Sequence, residues 1–149
     1  MRRSWDIFCT VIDNFGDIGV CWRLAMQLAV EHHQSVRLWV DDLASFASIA
    51  HDIDSQSHRQ RLHDVDICLW QPSAIEDVEP ADVVIEAFGC ELSEYYVQRL
   101  ALKRTPYVWI NLEYLSAEAW VEGCHRQPSP HPRLPLVKHF YFPGFTAGT

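Results

Sequence analysis

Lysine is nearly missing from this chain: Lys103 and Lys138 are the only two, and the other ten basic residues are arginines. No Gly-Lys-Ser/Thr triplet exists, which excludes a Walker-type phosphate loop. No Cys-x-x-Cys occurs either. The five cysteines (Cys9, Cys21, Cys68, Cys90, Cys124) are odd in number and scattered, mostly in or beside apolar runs. Such spacing predicts reduced, largely buried thiols in a cytoplasmic protein. Cys124–His125 has no second pair, so no zinc site is expected. Positive charge is in deficit: the formal net charge is −8, which argues against a nucleic-acid partner. No apolar run is long enough to span a bilayer, and Asp6 and Asp13 interrupt the stretch that a signal peptide would need after Arg2 and Arg3. No membrane association is expected.

What is present fits a globular domain. A chain of 149 residues, 48% hydrophobic and 21% charged, can bury a real core. Trp5–Ile12 reads as a buried strand, Val36–Val40 as a second, Val65–Trp70 as a third, Asp82–Phe88 as a fourth and Pro106–Leu112 as a fifth. A helix is expected to start near Asp17 or Ile18, with Val20, Cys21, Leu24 and Leu28 turned inward. Further helices are expected over Leu43–Ala50 and Leu92–Lys103, and a short one from Ser116 to Gly123. His51–Asp64 reads as a loop or exposed edge segment. Strands alternating with helices predict an α/β fold, a Rossmann-like, doubly wound and mainly parallel sheet. The tail from Gln127 to Gly144 carries five prolines and cannot be a regular helix. Its aromatic end, Phe140 to Phe145, reads as the beginning of a further region.

The segment Asp13-Asn14-Phe15-Gly16-Asp17-Ile18-Gly19 joins the first strand to the first helix. Open α/β sheets bind ligands there, because amides at the helix start face the crevice beyond the strand end. A turn that held only phosphate would not choose two carboxylates four residues apart. Asp13 and Asp17 point to a site handling a cationic or proton-donating group near a bound anion. Each has a plainer reading: Asp17 as a helix N-cap, Asp13 as a solvated strand end. Asp41-Asp42, after the second strand, stands where dinucleotide folds bind ribose. The first turn lacks Gly-x-Gly-x-x-Gly, however, and a helix cap is the better reading.

Longer strings resemble one family. They are Trp5-Asp6-Ile7-Phe8-Cys9, Val11 to Val20, Leu38-Trp39-Val40-Asp41-Asp42-Leu43, Asn111-Leu112-Glu113-Tyr114-Leu115-Ser116-Ala117-Glu118, Ser129-Pro130-His131-Pro132 and Phe142-Pro143-Gly144-Phe145-Thr146. Together they resemble the N-terminal half of the bacterial protein-arginine rhamnosyltransferases that modify translation elongation factor P, the EarP family. The resemblance runs over nearly the whole chain. It implies a GT-B architecture of two Rossmann-like domains. Residues 1–149 would be the acceptor-side domain, with the interdomain region starting at about 127, and the nucleotide-sugar domain would lie outside this chain. It implies inverting transfer of rhamnose from dTDP-rhamnose to an arginine of elongation factor P, in the cytoplasm, with no metal and no cofactor beyond that co-substrate. The isolated half is expected to be inactive.

By the same resemblance Asp17 is the general base and Asp13 a second catalytic carboxylate. Asn14, Phe15, Gly16 and Gly19 line the donor sugar. Glu113, at the carboxyl edge after the fifth strand, and Tyr114 are candidate acceptor contacts, with a structural role the plainer reading of Glu113. The residue types suit the task. A guanidinium is a poor nucleophile, with a pKa above about 12 and delocalised lone pairs. Carboxylates can both orient it and take its proton. The competing reading is a stand-alone Rossmann- or flavodoxin-like binding module. It is disfavoured because Asn111 to Glu113, at the end of the fifth strand, offers no lysine and the first loop is not Ser/Thr-rich.

Overall fold

The computed structural model describes residues 1–11 and 15–149, so Ile12, Asp13 and Asn14 lie outside the described residues. Its strands are β1 (Ser4–Cys9), β2 (Ser35–Val40), β3 (Arg59–Leu62), β4 (Val65–Leu69), β5 (Val83–Ala87), β6 (Val108–Leu112), β7 (Pro128–Pro130) and β8 (Val137–Tyr141). The α-helices are α1 (Phe15–Met26), α2 (Leu43–Ile49), α3 (Pro72–Ile75), α4 (Glu94–Leu102) and α5 (Val121–Cys124). A π-helical turn, Gln27–Glu31, prolongs α1.

One sheet holds all eight strands in the order β3-β4-β2-β1-β5-β6-β8-β7. The run from β4 to β8 is parallel throughout, and only the edge strands β3 and β7 pair antiparallel. Helices cover both faces, so the inner strands need not alternate apolar with polar. Every residue of β5 is buried, as are the last four of β1. One face buries Ile7, Cys9, Leu38, Val40 and Ile85 beneath Ile18, Cys21 and Ala25 of α1 and Phe46 of α2. The other packs Phe8, Trp39, Val84 and Trp109 against Ile75 of α3 and Tyr96, Val97 and Leu100 of α4.

A buried acid holds the second face together. Asp6 is fully buried in β1. It accepts from Arg37 Nε at 2.6 Å and Nη2 at 2.7 Å, from Trp39 Nε1 at 3.0 Å, from the Ala81 amide at 3.1 Å and from the Tyr96 hydroxyl. Five donors around one carboxylate satisfy the condition under which a buried charge is tolerated. Burial alone would depress the Arg37 pKa, but the hydrogen bond and charge of Asp6 outweigh it, and the net shift is upward. Burial, and then Asp6, hold the Tyr96 phenol neutral far above its ordinary range.

Several expectations change at the element ends. Helix α1 begins at Phe15, not at Asp17 or Ile18, which places Asp17 inside the first turn. Its buried stripe is Ile18, Cys21, Ala25 and then Ala29, while Val20 is exposed. Cys21 is buried as expected and Leu24 and Leu28 pack at the margin of the same core, so the inward face is centred on the small alanines, which let the helix lie close to the sheet. The segment expected to be helical from Ser116 is irregular until the single turn α5. His51–Asp64 contains the edge strand β3. The proline-rich tail lies within the sheet: β8 pairs with β6, and β7 returns against β8. Proline is compatible with an edge strand, because one side of it needs no ladder donor.

Candidate functional site

Strand order reverses at β1. The chain steps outward through β2 and β4, then crosses back to β5 on the other side of β1. The crevice beyond the carboxyl ends of β1 and β5 is therefore the topological switch point, where ligands of open α/β sheets bind. The first turn of α1 borders it, as do the turns after β5 and β6.

Asp17 stands in this crevice on the first turn of α1, 9% exposed. Its Oδ2 accepts from the Tyr114 hydroxyl at 2.9 Å. Its Oδ1 is buried and has no hydrogen-bond partner among the described residues. A buried, unsatisfied carboxylate oxygen costs free energy unless something else meets it. The plain capping role does not fit, because Asp17 is the third residue of the helix rather than its cap.

Tyr114 follows β6 and is held from two sides. Its ring stacks on Phe88, with centroids 4.3 Å apart and planes 14° from parallel, and its hydroxyl reaches Asp17. Burial, followed by the Asp17 hydrogen bond and charge, pushes its pKa up to about 12, so it is a donor at neutral pH. Phe88 closes β5 with φ of +54°, and Gly89 follows at +70°. A bulky residue in the left-handed region is strained. The Phe88 amide, donating to Leu112 O at 2.7 Å, fixes that turn against the end of β6.

The remaining expected residues divide. Phe15 opens α1 and is 54% exposed, and Gly16 beside it is also exposed. A Cβ built on Gly19 would meet nothing within 4 Å, so no neighbour among the described residues demands glycine there. Glu113 is half-buried; its carboxylate accepts from Asn111 Nδ2 and its amide donates to Tyr141 O at 2.9 Å. Asp13 and Asn14 lie outside the described residues. Asp42 caps α2 as expected, accepting from the Ser45 hydroxyl at 2.6 Å and the Ser45 amide at 3.0 Å, and that bonding lowers its pKa. Asp41 is not a cap: its Oδ1 accepts from the Val11 amide at 2.8 Å.

Sequence reading missed three partners at this edge. Glu86, buried at the end of β5, accepts from Lys138 Nζ at 2.7 Å and from the Leu92 amide at 3.2 Å. Phe88 supports Tyr114, and Asn111 supports Glu113. The usable signal was a charged residue inside an otherwise apolar strand, Val-Val-Ile-Glu-Ala, on a chain with two lysines.

Among the described residues no group of three or more His, Cys, Asp or Glu side chains is placed to hold a metal ion. Two Asp-x-Asp triplets exist, and their carboxylates are largely engaged. Asp64 and Asp66 pair with Arg61, and Asp54 accepts from the Gln56 amide. Nor is any helix among the described residues long and apolar enough to cross a membrane.

Fold and site define an α/β protein of the open parallel-sheet class, with an acid seated at the switch point. Residues 5–149 match the family described as Elongation-Factor P (EF-P) rhamnosyltransferase EarP, and the chain belongs to that family. It is 54% identical over 149 residues to a protein-arginine rhamnosyltransferase of Pseudomonas putida, covering 100% of this chain and 39% of that protein. A protein of the same description from Pseudomonas aeruginosa is 54% identical over 143 residues, covering 95% and 37%. One from Shewanella oneidensis is 49% identical over 150 residues, covering 97% and 38%. The chain thus spans about two fifths of the length of these curated relatives.

Proposed function

We propose that this chain is the acceptor-side domain of an inverting GT-B glycosyltransferase that moves rhamnose from dTDP-rhamnose to an arginine side chain of elongation factor P. Family membership supports the reaction class. The observation that carries the site assignment is Asp17: a carboxylate at the switch point with one oxygen anchored by Tyr114 and the other, Oδ1, without a partner among the described residues.

The chemistry then follows. A guanidino nitrogen of the acceptor attacks the anomeric carbon of rhamnose. The bond from that carbon to the diphosphate oxygen breaks with inversion, and dTDP leaves. The nitrogen's proton passes to Asp17 Oδ1. An inverting reaction needs its base on the face opposite the leaving group, which suits a carboxylate on the acceptor-side domain. Phe15, Gly16 and Gly19, with Asn14, would border the sugar; Asp13 would orient the guanidinium. The nucleotide is held chiefly by a second domain outside this chain.

The test is transfer by the complete enzyme, read as one added deoxyhexose on elongation factor P by intact-mass spectrometry. Asp17→Asn should lower kcat by roughly 10²–10⁴-fold, the range for a general base, with the fold unchanged by circular dichroism. Near-normal turnover would remove Asp17 from this role.

A further inference from the structure

We infer that Tyr114 is a positioning residue for Asp17: its hydroxyl fixes the carboxylate so that Oδ1 is the oxygen presented to the reacting nitrogen. The inference rests on Asp17 being the base, and it replaces direct acceptor contact as the role of Tyr114.

The two oxygens of Asp17 are not equivalent. Oδ2 is engaged by Tyr114 at 2.9 Å, and Oδ1 is buried without a partner among the described residues. A carboxylate on a helix can rotate about its last torsion, which is broad and roughly two-fold. One donor on one oxygen removes that freedom. The donor is itself immobilised, since the Tyr114 ring lies on Phe88 at 4.3 Å, nearly parallel. The turn carrying Phe88 is tied by its amide to Leu112, two residues before Tyr114. The strained backbone of Phe88 thus serves to put a flat surface under the tyrosine. Tyr114 remains 52% exposed, more than a core contact requires.

Among the described residues, the other titratable groups that act on this pair are Glu113, Cys9 and Cys21. Cys21 is held protonated, first by its hydrogen bond with Cys9, then by burial and by neighbouring acids that include Asp17. Glu113 is engaged by Asn111. Tyr114 is the hydroxyl among them that meets Asp17 directly.

The experiment compares wild type, Tyr114→Phe, Tyr114→Leu and Asp17→Asn in the complete enzyme, with kcat and acceptor KM measured across pH. Tyr114→Phe keeps the stack and deletes only the hydroxyl. Its plateau kcat should fall about 10-fold, as for a modest misplacement of a reacting group. Acceptor KM should stay within about twofold of wild type. Tyr114→Leu should show at least the same loss of kcat, because both variants lack the hydroxyl. An unchanged kcat in Tyr114→Phe would overturn the assignment. So would a rise in KM at constant kcat, which marks a binding contact, or a loss of kcat confined to Tyr114→Leu, which marks the ring. If Asp17→Asn turns over normally, the base assignment itself has failed. If Asp17→Asn is dead and Tyr114→Phe is silent, only the positioning role has failed.

Discussion

Asp41 Oδ1 accepts the Val11 amide proton at 2.8 Å, linking the residue after β2 to the loop that leaves β1. Val11 lies two residues before Asp13, and its backbone is held by a side chain thirty residues away. An acidic residue after the second strand of such a sheet is usually read as a ribose ligand. Here it pins backbone instead. Asp41→Ala in the complete enzyme should lower kcat about 10-fold by letting the loop drift. Asp41→Asn, whose amide oxygen still accepts, should restore most of the loss. Asp41 is exposed, so both variants should unfold within about 1 kcal/mol of wild type. Steady-state kinetics with urea denaturation would separate the two effects, and equal loss in both variants would argue against the hydrogen bond.

Asp6 makes the opposite case, a charge that serves the fold. Removing it leaves Arg37 half-buried without its bidentate partner and strips acceptors from Trp39, Tyr96 and the Ala81 amide. Breaking a buried pair from one side costs about 3–5 kcal/mol. Asp6→Ala should therefore lower the urea midpoint sharply, and its residual folded fraction should keep the wild-type acceptor KM. A midpoint within about 1 kcal/mol of wild type would mean that the network is dispensable.

The parallel sheet was readable from the sequence because its strands are continuous apolar runs between turn residues, and burial on both faces produces that pattern. The switch point was readable too, since an apolar run is followed within a few residues by a helix start. What could not be read depends on contacts between distant segments. Nothing local marks Asp6, 31 residues from Arg37 and 90 from Tyr96, as the hub of a network. Within its strand it looked only like an interruption. The strand in the tail was hidden for a related reason. Prolines exclude a regular helix, as found, but β8 gains its ladder from β6, which the tail's own residues do not reveal. The 97-residue separation of Asp17 from Tyr114 likewise hid their bond. Tyr114 was legible as a residue at the ligand edge, but its partner was not.

The Tyr114 hydroxyl offers a direct reading of the charge on Asp17. Its pKa is raised to about 12 by burial first, then by the hydrogen bond to Asp17 and by that residue's negative charge. Deleting the charge leaves the burial in place. In Asp17→Asn the Tyr114 pKa should therefore drop from about 12 toward, without reaching, its ordinary value of 10.0. For linkage the sign is fixed: a phenol whose pKa is raised on folding contributes stability that is complete below pH 10 and is lost as pH climbs toward 12. Wild type should thus lose stability faster than Asp17→Asn across that interval. ¹³Cζ-tyrosine NMR of the complete enzyme can follow the titration, with Tyr114→Phe identifying the resonance. An unchanged midpoint in Asp17→Asn would mean that the two groups do not meet in solution.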